Sequence, residues 1–376
     1  MRKATVHRLP MSHPGDVSAL ARLIDQGRVR ADEIVAVLGK TEGNGGVNDF
    51  TRGYLAQSLL LLLSRHLDVD PEQLARRIPC VFSGGTEGVL SPHYLVFCRR
   101  EGDAAEDRVA AASPASGDRG LAVGTAFSEP LPPEAIGRRA QIDSVAAAVR
   151  CALVDAGIDD PTDVHFVQVK SPCVTAARAS EAASRGKTVR ATDSGRSMAY
   201  ARAAGALGVA IALGEIDRDA VTEDALLSQF ELYSSRASIS SGVEVDCNEV
   251  IVLGNARGWA GPLRVAHRAM NDALDIGAIH GVLGELGVDA APQVSTTDAE
   301  RLACVLVKCE PDRCGAVRSH RHTMLDDTDI NAQRHIRGAV GGLIAGVLGD
   351  PRIFVSGGAE HQGPDGGGLI AVVAAC

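Results

Sequence analysis

No basic run interrupts this 376-residue chain, and its formal net charge is −9. That balance argues against nonspecific nucleic-acid binding and against a polybasic tether to a membrane surface. No C-x-x-C pair occurs among the nine cysteines. In a chain of this size, scattered cysteines read as reduced, packed thiols rather than a disulfide frame. No apolar h-region follows Met1-Arg2-Lys3-Ala4-Thr5-Val6-His7, so a secretory leader is not expected. The longest apolar run near the front, Leu59 to Leu63, is too short to span a bilayer. The expected compartment is the cytoplasm. No H-E-x-x-H is present, and His320 and His322 sit in a polar stretch without ligand spacing. Gly39-Lys40-Thr41 looks like the tail of a phosphate-binding loop, but Ile34 stands where that loop needs its first glycine.

What the chain does have is a pattern written three times. Ile34 to Lys40, Val164 to Lys170 and Cys304 to Lys308 are apolar runs, each closed by a lysine. Such runs read as buried strands. An arginine follows in each copy before a small residue, within or at the start of a stretch rich in Ala, Gly and Leu: Arg52, Arg202 and Arg337. A serine then opens an S-x-G-x-E turn: Ser83 to Glu87, Ser240 to Glu244 and Ser356 to Glu360. Three triples in the same order make a repeat whose period is domain-sized, far longer than a solenoid's. The expected units are 1–103, 112–250 and 255–376, closing on a shared centre.

Taken in order, the first unit predicts strands over Ala4–Leu9, up to Lys40, over Pro79–Ser83 and over Tyr94–Cys98. Helices are predicted over 16–24 and 51–67. Residues 99–120 read as a linker. The second unit predicts helices over 141–156 and 197–213, the latter so rich in small residues (Ala203 to Gly208) that a neighbour can pack close against it. Between them, 176–192 reads as polar, small and exposed. The third unit predicts helices over 276–286 and 329–348, with strands over 353–355 and 369–375. Each unit thus reads as β-α-β-α-β-β, an α/β fold with an antiparallel element.

The chemistry available to the triples is specific. A serine hydroxyl needs a base to take its proton. A lysine serves if burial and a neighbouring positive charge leave it neutral, and Arg202 is expected to supply that charge to Lys170. The backbone N–H groups of Gly84, Ser241 and Gly357, which follow the serines, suit a developing oxyanion. Three converging arginines suit three carbonyl oxygens of a flat, electron-poor ring. Glu87, Glu244 and Glu360 are expected to be structural, holding backbone N–H groups. The glycine-rich segment from Ala359 to Gly368 can turn several backbone carbonyls inward, as hard cations require, and Glu310 can add a carboxylate.

These stretches together resemble the ring-opening amidohydrolases, the family of cyanuric acid hydrolases and barbiturases. The likeness runs along essentially the whole chain. It is carried best by Gly39 to Gly45, Val47 to Arg52, Phe82 to Gly88, Ser197 to Ala199, Gly208 to Ala210 and Val355 to Gly368. The resemblance implies three similar repeats around a pseudo-threefold axis, a barrel-like prism with helices outside and the substrate on the axis. It implies that Lys40, Lys170 and Lys308 pair with Ser83, Ser240 and Ser356, with Ser240 as nucleophile and Lys170 as its base. Arg52, Arg202 and Arg337 become carbonyl clamps; Arg334, one helical turn away, is the alternative to Arg337. A divalent cation, magnesium or calcium, is implied at Glu310, Ala359, Gln362, Gly363, Pro364 and Gly367. The implied reaction opens cyanuric acid to carboxybiuret, which loses CO2 to give biuret. The alternatives are opening of barbituric acid to ureidomalonic acid, and binding of a planar imide without catalysis. A homotetramer is also implied.

Overall fold

Strands whose apolar residues run on without alternation need cover on both faces. The computed structural model, which describes residues 1–102 and 119–376, provides it for each of the lysine strands. The first stretch folds as β1 (Arg2–Pro10), α1 (Ser18–Asp25), β2 (Ile34–Thr41), α2 (Phe50–Leu67), α3 (Pro71–Ala75), β3 (Cys80–Gly84) and β4 (His93–Glu101). The second folds as β5 (Arg119–Phe127), α4 (Arg139–Ala156), β6 (Val164–Pro172), α5 (Ala176–Ser184), α6 (Ser194–Ala212), β7 (Ala237–Gly242) and β8 (Glu249–Arg257). After the short β9 (Trp259–Ala260), the third holds β10 (Leu263–Met270), α7 (Ile276–Glu285), α8 (Thr296–Ala299) and β11 (Leu302–Cys309). It continues with the hairpin β12 (Ala316–Val317) and β13 (His320–Arg321), then α9 (Ala332–Leu348), β14 (Phe354–Gly357) and β15 (Gly368–Ala375).

The fold is mixed α/β. Among the described residues the strands do not close into one barrel but form three sheets and the β12–β13 hairpin. The sheets run β3-β2-β4-β1-β9, β5-β8-β6-β7 and β10-β15-β11-β14. In each, a lysine strand lies parallel to a serine strand on one side and antiparallel to a returning strand on the other.

The period of two along each strand divides its side chains between two cores. From β2 and β4, Leu38, Leu95 and Phe97 enter a central cluster, while Val37, Tyr94 and Val96 turn outward to α1 and α2. From β11 and β15, Leu306, Leu369 and Ala371 enter the same central cluster, while Val307, Ile370 and Val372 face α7 and α9. The central cluster also takes Phe166, Val169 and Ile239 of the second sheet. All three sheets therefore share one core, and the lysines follow Leu38, Gln168 and Leu306 on the same strand faces.

Several expectations shift by a cap. Asp193 accepts a hydrogen bond from the Arg196 N–H and starts α6 at Ser194 rather than Ser197. Asn331 caps α9, which therefore begins at Ala332 and not Asp329. The 176–192 segment is corrected in part: Thr175 caps a helix there, α5, and buries Ala182. The serines do not open turns; each ends a strand, because parallel pairing to the lysine strand runs through it. The expected unit boundaries at 103 and 112 lie outside the described residues, and the break at 250–255 falls inside β8.

Candidate active site

Register does most of the assembly. Lys40 lies opposite Ser83, Lys170 opposite Ser240 and Lys308 opposite Ser356, each across a parallel ladder at the strand ends. The three lysines are at most 1% exposed. Lys40 Nζ donates to Ser83 Oγ at 3.0 Å and to the Gly84 carbonyl at 2.9 Å. Lys308 Nζ donates to Ser356 Oγ at 3.0 Å and to the Ile239 carbonyl at 2.6 Å. Lys170 differs: it donates to the Phe82 carbonyl at 3.3 Å and pairs with Glu244 at 2.6 Å. The hydroxyl of Ser240 accepts from Gln168 Nε2 at 3.5 Å instead.

The arginines do not serve the copy they come from. Arg337 reaches Glu87, with Nε at 2.9 Å and Nη2 at 2.6 Å. Arg52 reaches Glu244 at 2.8 Å, and Arg202 holds Glu360 at 2.7 and 2.5 Å. Each glutamate thus receives an arginine from a neighbouring stretch, and the three exchanges close a circle. Two expectations are corrected here. The glutamates serve to hold guanidinium groups, not chiefly backbone N–H groups, because a buried cation needs a carboxylate partner. The positive charge beside Lys170 is Arg52, whereas Arg202 stands beside Lys308. Nothing in one sequence tells which copy's helix will lean over which strand.

One cavity of about 440 Å³, counting its mouth, is lined by Arg52, Arg202 and Arg337 and by Ser83, Ser240 and Ser356. Gly84, Ser241 and Gly357 line it too, with Lys170. Lys40 and Lys308 reach it through their serines. Arg337, 6% exposed, is the third arginine of the cavity, while the side chain of Arg334 is 48% exposed and meets Glu87 only at 3.4 Å. Gly45, Phe82 and Gly358 also line the cavity; they fall in stretches that carry the family likeness but are not among the expected site residues. Gly45, with φ +74°, sits 3.3 Å (as a built Cβ) from the Gly84 carbonyl, so a side chain there meets strained backbone and a crowded wall.

Electrostatics separates the lysines. Burial, then the Arg337 charge, drives the Lys40 amine well below the ordinary lysine range. Burial and Arg202 bring Lys308 to about 7. Burial also lowers Lys170, but Glu244 pulls the other way, with Arg52 opposing it. Burial works to raise the Glu244 carboxyl; Lys170 and Arg52 override it and hold it at about 2.

The loop after β14 is the expected cation site. Glu310 is 4% exposed, and burial together with the nearby Glu360 raises its carboxyl to about 8. Its Oε1 lies 2.5 Å from Arg313 Nη2 yet makes no aligned hydrogen bond. The carbonyls of Ala359, Pro364 and Gly367 each accept one backbone N–H, which leaves each a second lone pair. Gln362 spends its side chain elsewhere, accepting from the Ile239 N–H at 2.6 Å, so only its carbonyl is free for a cation. An underused buried carboxylate among carbonyl oxygens fits a hard divalent cation.

Known proteins resemble this chain along nearly its whole length. The family described as amidohydrolase ring-opening protein matches residues 5–375. A cyanuric acid amidohydrolase of Azorhizobium caulinodans is 48% identical over 372 residues, covering 99% of this chain and 98% of the relative. One of Enterobacter cloacae is 46% identical, with 99% of each chain covered. A solved cyanuric acid hydrolase structure superposes with a TM-score of 0.94 at 44% identity, covering all of both chains. A second, from A. caulinodans, gives 0.90 at 47% identity, covering 100% of this chain and 99% of that one.

Proposed function

We propose, from the premise that this chain belongs to the ring-opening amidohydrolase family of cyclic-amide hydrolases, that it opens the ring of cyanuric acid. The observation that carries the reading is the cavity lined by three arginines, three serines and Lys170, with Lys40 and Lys308 hydrogen-bonded to two of those serines from behind. A flat ring with three equivalent carbonyls matches a site with three equivalent corners. On this reading the three sheets are three repeats about a pseudo-threefold axis, a prism rather than a barrel, and their common strand order supports it.

The reaction begins at the second corner. Neutral Lys170 takes the Ser240 proton as Oγ bonds to a ring carbonyl carbon, and the carbonyl electrons move to oxygen. The backbone N–H of Ser241 and the guanidinium groups receive that charge; one such donor is worth about 2.7–4 kcal/mol. Collapse breaks the ring C–N bond, and the leaving nitrogen takes the proton from Lys170. Water then attacks the acyl-serine, giving up its proton through Lys170 to Ser240. Carboxybiuret leaves and loses CO2 to give biuret. Lys40, Lys308, Ser83, Ser356, Gly84 and Gly357 hold the other two carbonyls with Arg52, Arg202 and Arg337. Glu310 and the carbonyls of Ala359, Gln362, Gly363, Pro364 and Gly367 would hold a magnesium or calcium ion, which would supply charge neutralisation to the buried carboxylates and no bond-making step. The working form proposed is a cytoplasmic homotetramer, checked by sedimentation.

The test is steady-state hydrolysis of cyanuric and barbituric acids side by side, with Ser240→Ala as control. Turnover of cyanuric acid, abolished in the variant with the fold retained, supports the proposal. Preference for barbituric acid, ring binding without biuret or CO2, or an active Ser240→Ala overturns it.

A further inference from the structure

The three corners are alike at the lysine and serine and unlike one step below. In the first sheet the ladder pair two residues before Lys40 and Ser83 is Leu38 and Val81. In the third it is Leu306 and Phe354. In the second it is Gln168 and Ser238, both fully buried. Gln168 therefore projects on the same strand face as Lys170, in the layer where the other sheets present hydrocarbon to the central core. Burying an amide and a hydroxyl there costs free energy unless they are hydrogen-bonded. Yet among the described residues Gln168 Oε1 and Ser238 Oγ find no hydrogen-bond partner. Only the Nε2 end of Gln168 is engaged, with the Val169 carbonyl at 3.2 Å and with Ser240 Oγ at 3.5 Å.

The direction of that second hydrogen bond matters. At the first and third corners the lysine amine itself donates to the serine oxygen. There, among the described residues, the lysine is the only side chain within hydrogen-bond distance of the serine oxygen. At the second corner an amide N–H, which cannot take a proton, occupies the serine oxygen. The Ser240 O–H is then left to turn toward Lys170, its partner across the ladder, whose amine also meets Glu244 and the Phe82 carbonyl. We propose that Gln168 is a positioning residue for the reaction: its amide orients the Ser240 hydroxyl for proton transfer to Lys170 and so singles out this corner, of three, for bond-making.

This inference rests on the assignment of Ser240 as nucleophile. The test compares Gln168→Leu, Gln168→Glu and Ser240→Ala in the full-length protein with cyanuric acid. Leucine already stands at this level in the other two sheets, so the substitution suits the core. Gln168→Leu is expected to lower kcat roughly 10²-fold, the lower end for loss of one donor to a reacting oxygen, with KM and the melting temperature held. Gln168→Glu has an O–H donor only while protonated, so its activity relative to the parent falls as pH rises. Unchanged kcat in Gln168→Leu, or a loss shared by kcat, KM and melting temperature, overturns the proposal, since a merely structural side chain gives one or the other. Should Gln168→Leu fail to fold, a Gln168→Glu pH profile parallel to the parent's overturns it equally. An active Ser240→Ala removes the nucleophile assignment itself; an inactive Ser240→Ala beside a normal Gln168→Leu removes only the role given to Gln168.

Discussion

Lys40, Lys170 and Lys308 share burial and a serine neighbour, and differ in the charge each meets. Glu244 touches Lys170 directly, so the amine proposed as base is also the one that meets a carboxylate. Lys170→Ala is expected to lower kcat roughly 10²–10⁴-fold, the usual contribution of a positioned base. Arg337→Ala should raise KM at least tenfold while Arg334→Ala changes it little; equal effects would put the third clamp in doubt. Glu249 adds a pH signature. It lies across the ladder from Lys170, and burial raises its carboxyl to about 8. An acid with a folded pKa above its unfolded value binds more protons in the folded state between the two. Its contribution therefore weakens as pH rises from about 4.5 to about 8 and is constant beyond. Denaturation midpoints at pH 5 and pH 9 should fall further in the parent than in Glu249→Gln, and parallel curves refute the assignment.

Helices and loops set how closely the frame can be built. The small residues of α6 suit close packing, and the helix packs closely: a Cβ on Gly208 falls 2.6 Å from the Ile142 carbonyl of α4, and one on Gly205 2.8 Å from Ile239 of β7. Because the first obstacle is backbone, Gly208→Ala should cost about 1–3 kcal/mol in urea denaturation. The loop after β14 makes a different prediction. If a cation neutralises Glu310, chelation should lower the melting temperature, and magnesium or calcium should restore it. No shift on exhaustive chelation, with metal analysis showing none bound, sinks the cation site.

Across the whole molecule, the Glu87–Arg337, Glu244–Arg52 and Glu360–Arg202 contacts tie the segment after each serine strand to a helix of another stretch. No stretch alone carries a complete corner. Glu87→Ala leaves Arg337 buried without its carboxylate and should cost about 3 kcal/mol of stability, the lower end for a broken buried pair because the cavity admits water. It should also raise KM, since Arg337 is then free to turn from the cavity. A variant as stable and as tight as the parent would show the circle of contacts to be incidental.

The lysines, serines and arginines, the strand runs and the β-α-β-α-β-β order were all legible along the chain, because apolar periodicity and recurrent motifs are local properties. Helix starts were missed by a few residues where Asp193 and Asn331 cap. What one dimension could not supply was which arginine serves which lysine. That depends on how three sheets lean together over a shared core, and the packing brought Arg52 to Lys170 and Arg202 to Lys308. Gln168 was hidden for the same reason: inside an apolar run it reads as an interruption, and only the ladder register shows that leucine fills its place twice elsewhere.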